Sequence, residues 1–159
     1  MEDNLILRDF DRQPFSRNMV LDYRQAEKRA REALDEYSIK TSGKSGIKTP
    51  VKLMSGGNQQ KVILSREISE EAGLIVASQP TRGLDIGATR FVHETLLRQR
   101  DAGRCVLLIS ADLDEILGVS DRVAVMYEGR IIGILNRDEA DVHKIGLLMG
   151  GIAKEAADE

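Results

Sequence analysis

A chain of 159 residues with 42% hydrophobic and 31% charged residues has the length and composition of one folded domain or a part of one. The formal net charge of −3 argues against a nucleic-acid-binding surface, which normally needs clustered basic residues. The single cysteine, Cys105, cannot form an internal disulfide, so we expect a protein of a reducing compartment. No apolar run approaches the roughly 20 residues of a membrane helix, so we expect any link to a membrane to run through a partner.

Hydrophobic spacing predicts an amphipathic helix near the start of the chain. In residues 23–37 apolar side chains recur every three or four positions, while charged residues occupy most of the other positions. These apolar positions are Ala26, Ala30, Ala33, Leu34 and Tyr37. Residues 40–50 are rich in Gly, Ser, Thr and Lys and end at Pro50, which predicts a loop.

The rest of the chain alternates helices with short apolar runs, a pattern typical of α/β proteins. The predicted elements are a helix at 58–69, a strand at 74–77, a helix at 86–100, a strand at 105–109, a helix at 112–117, and strands at 122–127 and 130–135. Glu128-Gly129 predicts a tight turn that makes the last two strands a hairpin. The runs that begin at Leu74 and Cys105 start 31 residues apart with a helix between them, so we expect two buried strands of a parallel sheet.

Gly43-Lys44-Ser45 has the last three residues of a phosphate-binding loop, whose amides surround phosphate groups. The first glycine of that motif would fall at position 38, which is Ser38, and a predicted helix rather than a buried strand precedes it. We therefore interpret this segment as a connector and not as a nucleotide site.

The segment Ser55-Gly56-Gly57-Asn58-Gln59 places a serine and two glycines at the start of a predicted helix. Backbone N–H groups at such a position lack helical partners, and the helix dipole favours an anion. The absence of two Cβ atoms lets a phosphate approach closely. From these residues alone, an ordinary role for Ser55 as a helix cap is the better interpretation.

The wider segment at 53–62, with Ser-Gly-Gly-Asn-Gln-Gln-Lys-Val at its centre, resembles the signature motif of ATP-binding-cassette (ABC) ATPases. It has the form found in importers of ribose, galactose and nucleosides. Three further segments match this family at the expected spacing: 79–88 at the Walker B end and D-loop, 109–116 at the switch region, and 120–130 at the closing hairpin. The resemblance covers roughly residues 2–150 and is greatest to the second, degenerate cassette of nucleoside importers with basic-membrane-protein-type receptors.

The resemblance implies an α/β fold: a partial P-loop NTPase (RecA-like) core with parallel strands and a C-terminal hairpin, plus an ABC α-helical subdomain. We expect the helical subdomain with the signature motif at 1–70, the C-terminal part of the RecA-like core at 71–150, and a disordered tail at 151–159. The family's Walker A loop, adenine-stacking aromatic residue and Q-loop glutamine have no counterpart here, so we expect them to precede this segment in a longer protein.

The sequence departs from the family at three catalytic positions. Where the Walker B strand normally ends in Asp-Glu, the chain has Ser78-Gln79, and Ala111 replaces the switch histidine. A neutral hydroxyl is a poor Mg²⁺ ligand, and a glutamine amide cannot accept a proton from water. General acid–base catalysis typically contributes about 10²- to 10⁴-fold, so we expect this site to be nearly silent unless other groups compensate.

The family's cassettes act as head-to-tail pairs, which implies a role for the signature residues in trans. Ser55, Gly56, Gly57, Asn58 and Gln59 would close on ATP held by another cassette, and Asp85 would act as the D-loop aspartate or simply cap the next helix. ATP and Mg²⁺ would be bound across the cassette dimer of the full-length protein, which would hydrolyse ATP to drive transport. We expect the isolated chain to be inactive, without a cofactor or metal of its own.

The resemblance implies three partners: another cassette, expected to be the first half of the same polypeptide, membrane permease subunits and, indirectly, an extracytoplasmic substrate-binding protein. It also implies that the protein itself lies at the cytoplasmic face of the membrane as a peripheral protein. We also expect the chain to associate with itself through an exposed sheet face. Two alternatives remain: a non-transport ABC-type ATPase and a non-catalytic interaction module. We interpret His93, His143 and Arg82 as surface or packing residues.

Overall fold

The computed structural model describes residues 1–41, 43–68 and 72–152. Two compact units divide the chain. The first consists of Met1–Ile75 and Pro80–Val106, and the second of Val76–Gln79 and the chain from Leu107 onward. The division at residue 70 into a helical subdomain and a core stays a prediction, and the expected tail lies outside the described residues from 153 onward.

The described elements alternate helices and short strands, as predicted for an α/β protein. In chain order they are α1 (Glu2–Leu5), β1 (Ser16–Arg17), β2 (Val20–Leu21), α2 (Tyr23–Glu36), α3 (Gly56–Glu67), β3 (Leu74–Ser78), α4 (Ile86–Asp101), β4 (Cys105–Ile109), α5 (Leu113–Val119), β5 (Arg122–Tyr127), β6 (Arg130–Asn136) and α6 (Val142–Met149). Two 3₁₀ segments precede α3: Gly43–Lys48 lies in the predicted loop at 40–50, and Val51–Leu53 follows that loop. The last position of the predicted helix at 58–69, Ser69, lies outside the described residues.

The core of the first unit includes the small apolar face of α2. Ala26, Ala30 and Ala33 are fully buried, which confirms the predicted helical spacing. Alanines leave room for close neighbours, and α1 packs against both α2 and α3. Asp22 begins α2 by accepting a hydrogen bond from the backbone N–H of Arg24. Neither α1 nor the β1–β2 hairpin was predicted, because both are too short to produce a periodic pattern.

Strands β3 and β4 pair with each other, as the strand–helix–strand spacing predicts. The Cys105 N–H donates to the Gly73 carbonyl at 3.0 Å, and the Gln79 N–H donates to the Ile109 carbonyl at 2.8 Å. The two bonds follow the same order along both strands, as parallel pairing requires.

The expectation that both strands are buried is wrong for one face. Side chains alternate between the faces of a strand, and Val76, Leu107 and Ile109 are 58%, 50% and 48% exposed. Cys105 is exposed as well. In the described part of the chain this sheet has only two strands, and these side chains on it are about half exposed. We call the face formed by Val76, Leu107 and Ile109 the open strand face.

The second unit has its own core, built on the β5–β6 hairpin. The strands pair antiparallel, and both residues of the turn, Glu128 and Gly129, have positive φ, at 45° and 76°, which confirms the predicted tight turn. Helix α6 packs against β5. The buried residues of this core are Val123, Val125, Leu135, Ile145 and Leu148.

Candidate functional site

The signature segment begins helix α3 as predicted, and its first residues face open space. Ser55 precedes the helix with extended backbone angles, φ −62° and ψ 154°. Ser55 and Gly56 are both exposed. A Cβ placed on Gly56 would have Leu84 Cδ2, at 3.9 Å, as its nearest neighbour. The helix N-terminus is therefore accessible to a ligand from outside.

Ser55 does not cap α3 with its side chain, although it occupies the cap position. Among the described residues no backbone N–H of the helix donates to the Ser55 hydroxyl. Instead, the Asn58 side-chain Nδ2 donates to Ser55 Oγ at 2.9 Å. The interpretation of Ser55 as an ordinary side-chain cap is therefore wrong, since this hydroxyl is oriented by a side chain one turn along the helix.

Asn58 is itself held by the segment that follows α2. Its Oδ1 accepts a hydrogen bond from the backbone N–H of Lys40 at 2.8 Å. The neighbouring Gln59 anchors the other side of the motif, because its Nε2 donates to the Met54 carbonyl at 3.0 Å. The signature side chains thus hold the backbone on both sides of the helix start, at Lys40 and at Met54.

Gly57 lies against the start of helix α4. A Cβ on Gly57 would be 2.7 Å from the Ala88 Cβ and 3.8 Å from Asp85 Oδ2. Real Cβ atoms do not approach each other so closely, so the second signature glycine is required by the packing of α3 on α4. Of the two glycines, Gly56 leaves space for a ligand and Gly57 leaves space for Ala88.

Asp85 lies beside this glycine and caps α4. Its Oδ1 accepts a hydrogen bond from the Ala88 N–H at 2.9 Å, which is the capping role that the sequence offered as an alternative. Its position near Gly57 also places a carboxylate close to the signature helix. The structure therefore brings Asp85 together with the predicted signature residues in the first unit.

Lys61 belongs to the signature segment, but the sequence alone gave no reason to assign it a role. It lies three positions after Asn58, and its Nζ donates to the Ser38 carbonyl at 3.0 Å. The same ammonium lies 4.3 Å from the centroid of the Phe91 ring, a cation–π distance. Burial, followed by the positive charge of Lys40, lowers the pKa of Lys61 below its ordinary value, while Asp85 opposes this shift. The 58/61 spacing could have shown that both side chains share one helix face.

The three departures from the catalytic pattern come together in the second unit, at the carboxyl ends of β3 and β4. Ser78 is the exposed last residue of β3, and Gln79 follows it with a positive φ of 49°. The Gln79 N–H bond to Ile109 places it beside the end of β4, which continues into Ser110 and the exposed Ala111. The Asp112 N–H donates to Ser110 Oγ at 3.0 Å, so this hydroxyl orders the start of α5.

Solved structures with a similar fold are ABC cassettes. The cassette MJ1267 of an ABC transporter has a TM-score of 0.71 and 19% identity, and the match covers 95% of the chain and 61% of that protein. The ADP- and Pi-bound dimeric cassette MJ0796 has a TM-score of 0.61 and 21% identity over 77% of the chain and 52% of that protein. No protein-family model matches the chain.

Proteins with similar sequences are named as ATP-binding proteins of importers. The guanosine import ATP-binding protein NupO of Bacillus subtilis is 44% identical over 155 residues, which is 98% of the chain. The nucleoside import ATP-binding protein NupA of Lactococcus lactis subsp. cremoris is 42% identical over 149 residues, or 94% of the chain. The chain belongs to the ATP-binding-cassette family. It spans 30% and 29% of the lengths of these two relatives.

The cassette's own strand ends do not fit a magnesium ion. Ser78 and Gln79 provide a hydroxyl and an amide, whereas Mg²⁺ in nucleotide sites is normally held by one or two carboxylates. Within residues 1–41, 43–68 and 72–152, no group of three His, Cys, Asp or Glu side chains has the proximity to hold a metal ion.

The remaining sequence predictions concern residues outside the site. Gly43-Lys44-Ser45 follows α2 and lies in the 3₁₀ segment Gly43–Lys48, so among the described residues no strand leads into it. Arg82 and His143 are exposed and His93 is half-buried. None of the helices in the described part of the cassette is long and apolar enough to cross a bilayer.

Proposed function

We propose that the chain is part of the ATP-binding subunit of an ABC importer for nucleosides or simple sugars. In this role the N-terminus of α3 completes, in trans, an ATP site whose phosphate-binding loop belongs to another cassette. The observation that carries the proposal is the 44% identity to a guanosine import ATP-binding protein over 98% of the chain. The name of that relative describes an import protein, which favours an importer over a non-transport ABC-type ATPase of chromosome maintenance or translation.

The geometry of the signature segment supports contact with a terminal phosphate. Ser55 and Gly56 are exposed at the positive end of a 12-residue helix, and Gly56 leaves the backbone N–H groups open to approach. Such a helix end stabilises negative charge through its orphan N–H groups and its dipole. These groups can hold and orient a phosphate, but none of them can remove a proton from the attacking water.

The strand ends of this cassette support an asymmetric pair of sites. Ser78, Gln79 and Ala111 offer neither a carboxylate base nor a histidine. The competent site would then combine the signature of this cassette with the Walker A loop, magnesium ligand and base of the other cassette. When bound there, Mg²⁺ neutralises phosphate charge. The site at Ser78 and Gln79 would contribute little hydrolysis.

The proposed partners follow from the same arrangement. Another cassette, the first half of the same polypeptide, would hold the ATP. Permease subunits would carry the substrate across the membrane, and the protein would lie at the cytoplasmic face of that membrane. A substrate-binding protein would act through the permease. None of these partners needs a basic surface for nucleic acid, which agrees with the net charge of −3.

The experiment is a comparison of steady-state ATPase and transport rates in the full-length protein with its permease. Ser55→Arg or Gly56→Asp should abolish most activity, because a bulky or acidic side chain blocks or repels the phosphate at the start of α3. The matched arm is Ser78→Asp with Gln79→Glu, which restores the family pattern and should change turnover by less than about twofold, since the competent base would lie in the other cassette.

Two outcomes would contradict the proposal. Near-native turnover in the signature variants would remove α3 from the ATP site. A strong rise on restoring the carboxylates would place the competent site in this cassette.

A further inference from the structure

We propose that Asn58 is a positioning residue that directs the Ser55 hydroxyl outward as a hydrogen-bond donor to the bound phosphate. This proposal rests on the proposed function, because it assigns a role within the same site. It adds a residue that does not have to touch the nucleotide. The role follows from two hydrogen bonds of Asn58, one to Lys40 and one to Ser55, and from the hydrogen bond between Lys61 and Ser38.

The orientation of the Asn58 amide is fixed by its partner at Lys40. A backbone N–H can only donate, so the Asn58 atom that faces it, 2.8 Å away, must be the oxygen. The other end of the amide is then the NH₂ group, which faces Ser55 Oγ at 2.9 Å. The direction of the second hydrogen bond is therefore determined by the first.

The consequence concerns the proton of the Ser55 hydroxyl. A serine hydroxyl has one O–H donor and two acceptor lone pairs. One lone pair accepts from Asn58, so the Ser55 hydrogen cannot point toward Asn58 and has to be donated elsewhere. Ser55 is exposed, and the open side of the helix start is the side that would face a phosphate oxygen. The hydroxyl is thus prepared to donate before the ligand arrives.

The segment that carries the Lys40 N–H is held at a second point. Lys61 Nζ donates to the Ser38 carbonyl at 3.0 Å, and Ser38 has a positive φ of 48° that turns the chain after α2. Asn58 and Lys61 lie three positions apart, so one face of α3 holds both Ser38 and Lys40. The ring of Phe91 supports the Lys61 ammonium at 4.3 Å. The contacts of α3 with Ser38 and Lys40 together hold in place the Lys40 N–H, which is the group that orients Asn58.

A double-mutant cycle in the full-length protein tests the proposal. Asn58→Ala should lower ATPase turnover about fivefold to tenfold, the size expected for one hydrogen bond that orients a donor. In a Ser55→Ala background the same substitution should change turnover by less than about twofold, because Asn58 would act only through Ser55. Gln60→Ala, on the same helix and not bonded to Ser55, is the matched control and should leave turnover near native.

Asn58→Asp is the second variant and is close in shape to the native side chain. The new carboxylate still accepts from the Lys40 N–H, but it cannot donate to Ser55, so the Ser55 hydroxyl would donate to that carboxylate instead of to phosphate. Turnover should fall at least as far as in Asn58→Ala, with a thermal unfolding midpoint near that of the native protein. A variant that lost its fold would be detected by that midpoint, and the cycle would then be read from Asn58→Ala.

The outcomes separate this proposal from the one on which it rests. If Ser55→Ala impairs turnover but the Asn58 variants do not, or if Asn58→Ala has an equal effect with and without Ser55, the positioning role is wrong while the signature contact stands. If Ser55→Arg and Ser55→Ala both retain full turnover, the signature contact itself fails. A fall of about fivefold to tenfold in Asn58→Ala, together with a change of less than about twofold in the Ser55→Ala background, supports the positioning role.

Discussion

Gly57 and Ala88 are so close that a Cβ on Gly57 would lie 2.7 Å from the Ala88 Cβ. Gly57→Ala should therefore destabilise the protein by about 1–3 kcal/mol, the range typical of overpacked sites. Gly56→Ala is the matched control, because its nearest neighbour would be a flexible leucine methyl at 3.9 Å, and it should change stability by less than about 1 kcal/mol. Urea unfolding followed by circular dichroism measures both.

A compensating change provides a further check on this contact. Ala88→Gly in the Gly57→Ala background removes the methyl that causes the clash, so the two substitutions together should cost less than the sum of their separate effects. Equal stability of Gly57→Ala and Gly56→Ala would show that α3 and α4 can move apart without a penalty.

The isolated chain should neither bind Mg-ATP tightly nor hydrolyse it. Its sequence has no Walker A loop, and the Ser78, Gln79 and Ala111 positions lack the usual catalytic groups. Isothermal titration calorimetry with Mg-ATP, together with a phosphate-release assay, makes the measurement. A dissociation constant in the low micromolar range, with turnover abolished by Ser78→Ala, would overturn this prediction.

The isolated chain should associate with itself through the open strand face. Val76, Leu107 and Ile109 present about half of their surface to solvent on one side of two paired strands. Apolar sheet faces of this kind attract other copies. Light scattering should show a mass that rises with concentration, and Val76→Thr with Leu107→Gln should reduce both the mass and the binding of a hydrophobic dye. A strict monomer that binds no dye would count against it.

Tyr37 should make the folded state less stable at alkaline pH. Burial, with a contribution from Glu36, raises the pKa of its phenol above the ordinary 10.0. A raised folded-state pKa contributes stability below pH 10 that is lost as the pH increases toward the folded value. The unfolding free energy of Tyr37→Phe should therefore depend less on pH between about pH 9 and 11.

The alkaline comparison is made between the two proteins at each pH, because Lys61 titrates in the same region with the opposite sign. Its lowered pKa makes stability rise with pH below the ordinary 10.5, and this effect is present in both proteins. Parallel pH profiles for native protein and Tyr37→Phe would mean that burial of the phenol has no energetic consequence.

Long periodic elements could be predicted from the sequence, and the contacts between distant segments could not. The alanine spacing of α2 and the Glu128-Gly129 turn are local signals, and both are confirmed. The link from Lys40 to Asn58 joins residues 18 positions apart through a backbone N–H, which carries no sequence signature. The exposure of Leu107 depends on which elements cover the sheet, whereas an apolar run shows only that the strand favours burial.

The route of the chain between its two compact units has a consequence for limited proteolysis. The chain passes from one unit to the other at 75/76, 79/80 and 106/107. The first and third of these positions lie inside the hydrogen-bonded strands β3 and β4. A protease binds its substrate as an extended segment, so it could cut there only after the two strands had separated. No single cut can release either unit intact, so brief digestion should trim exposed turns and leave one nicked species rather than two separable fragments.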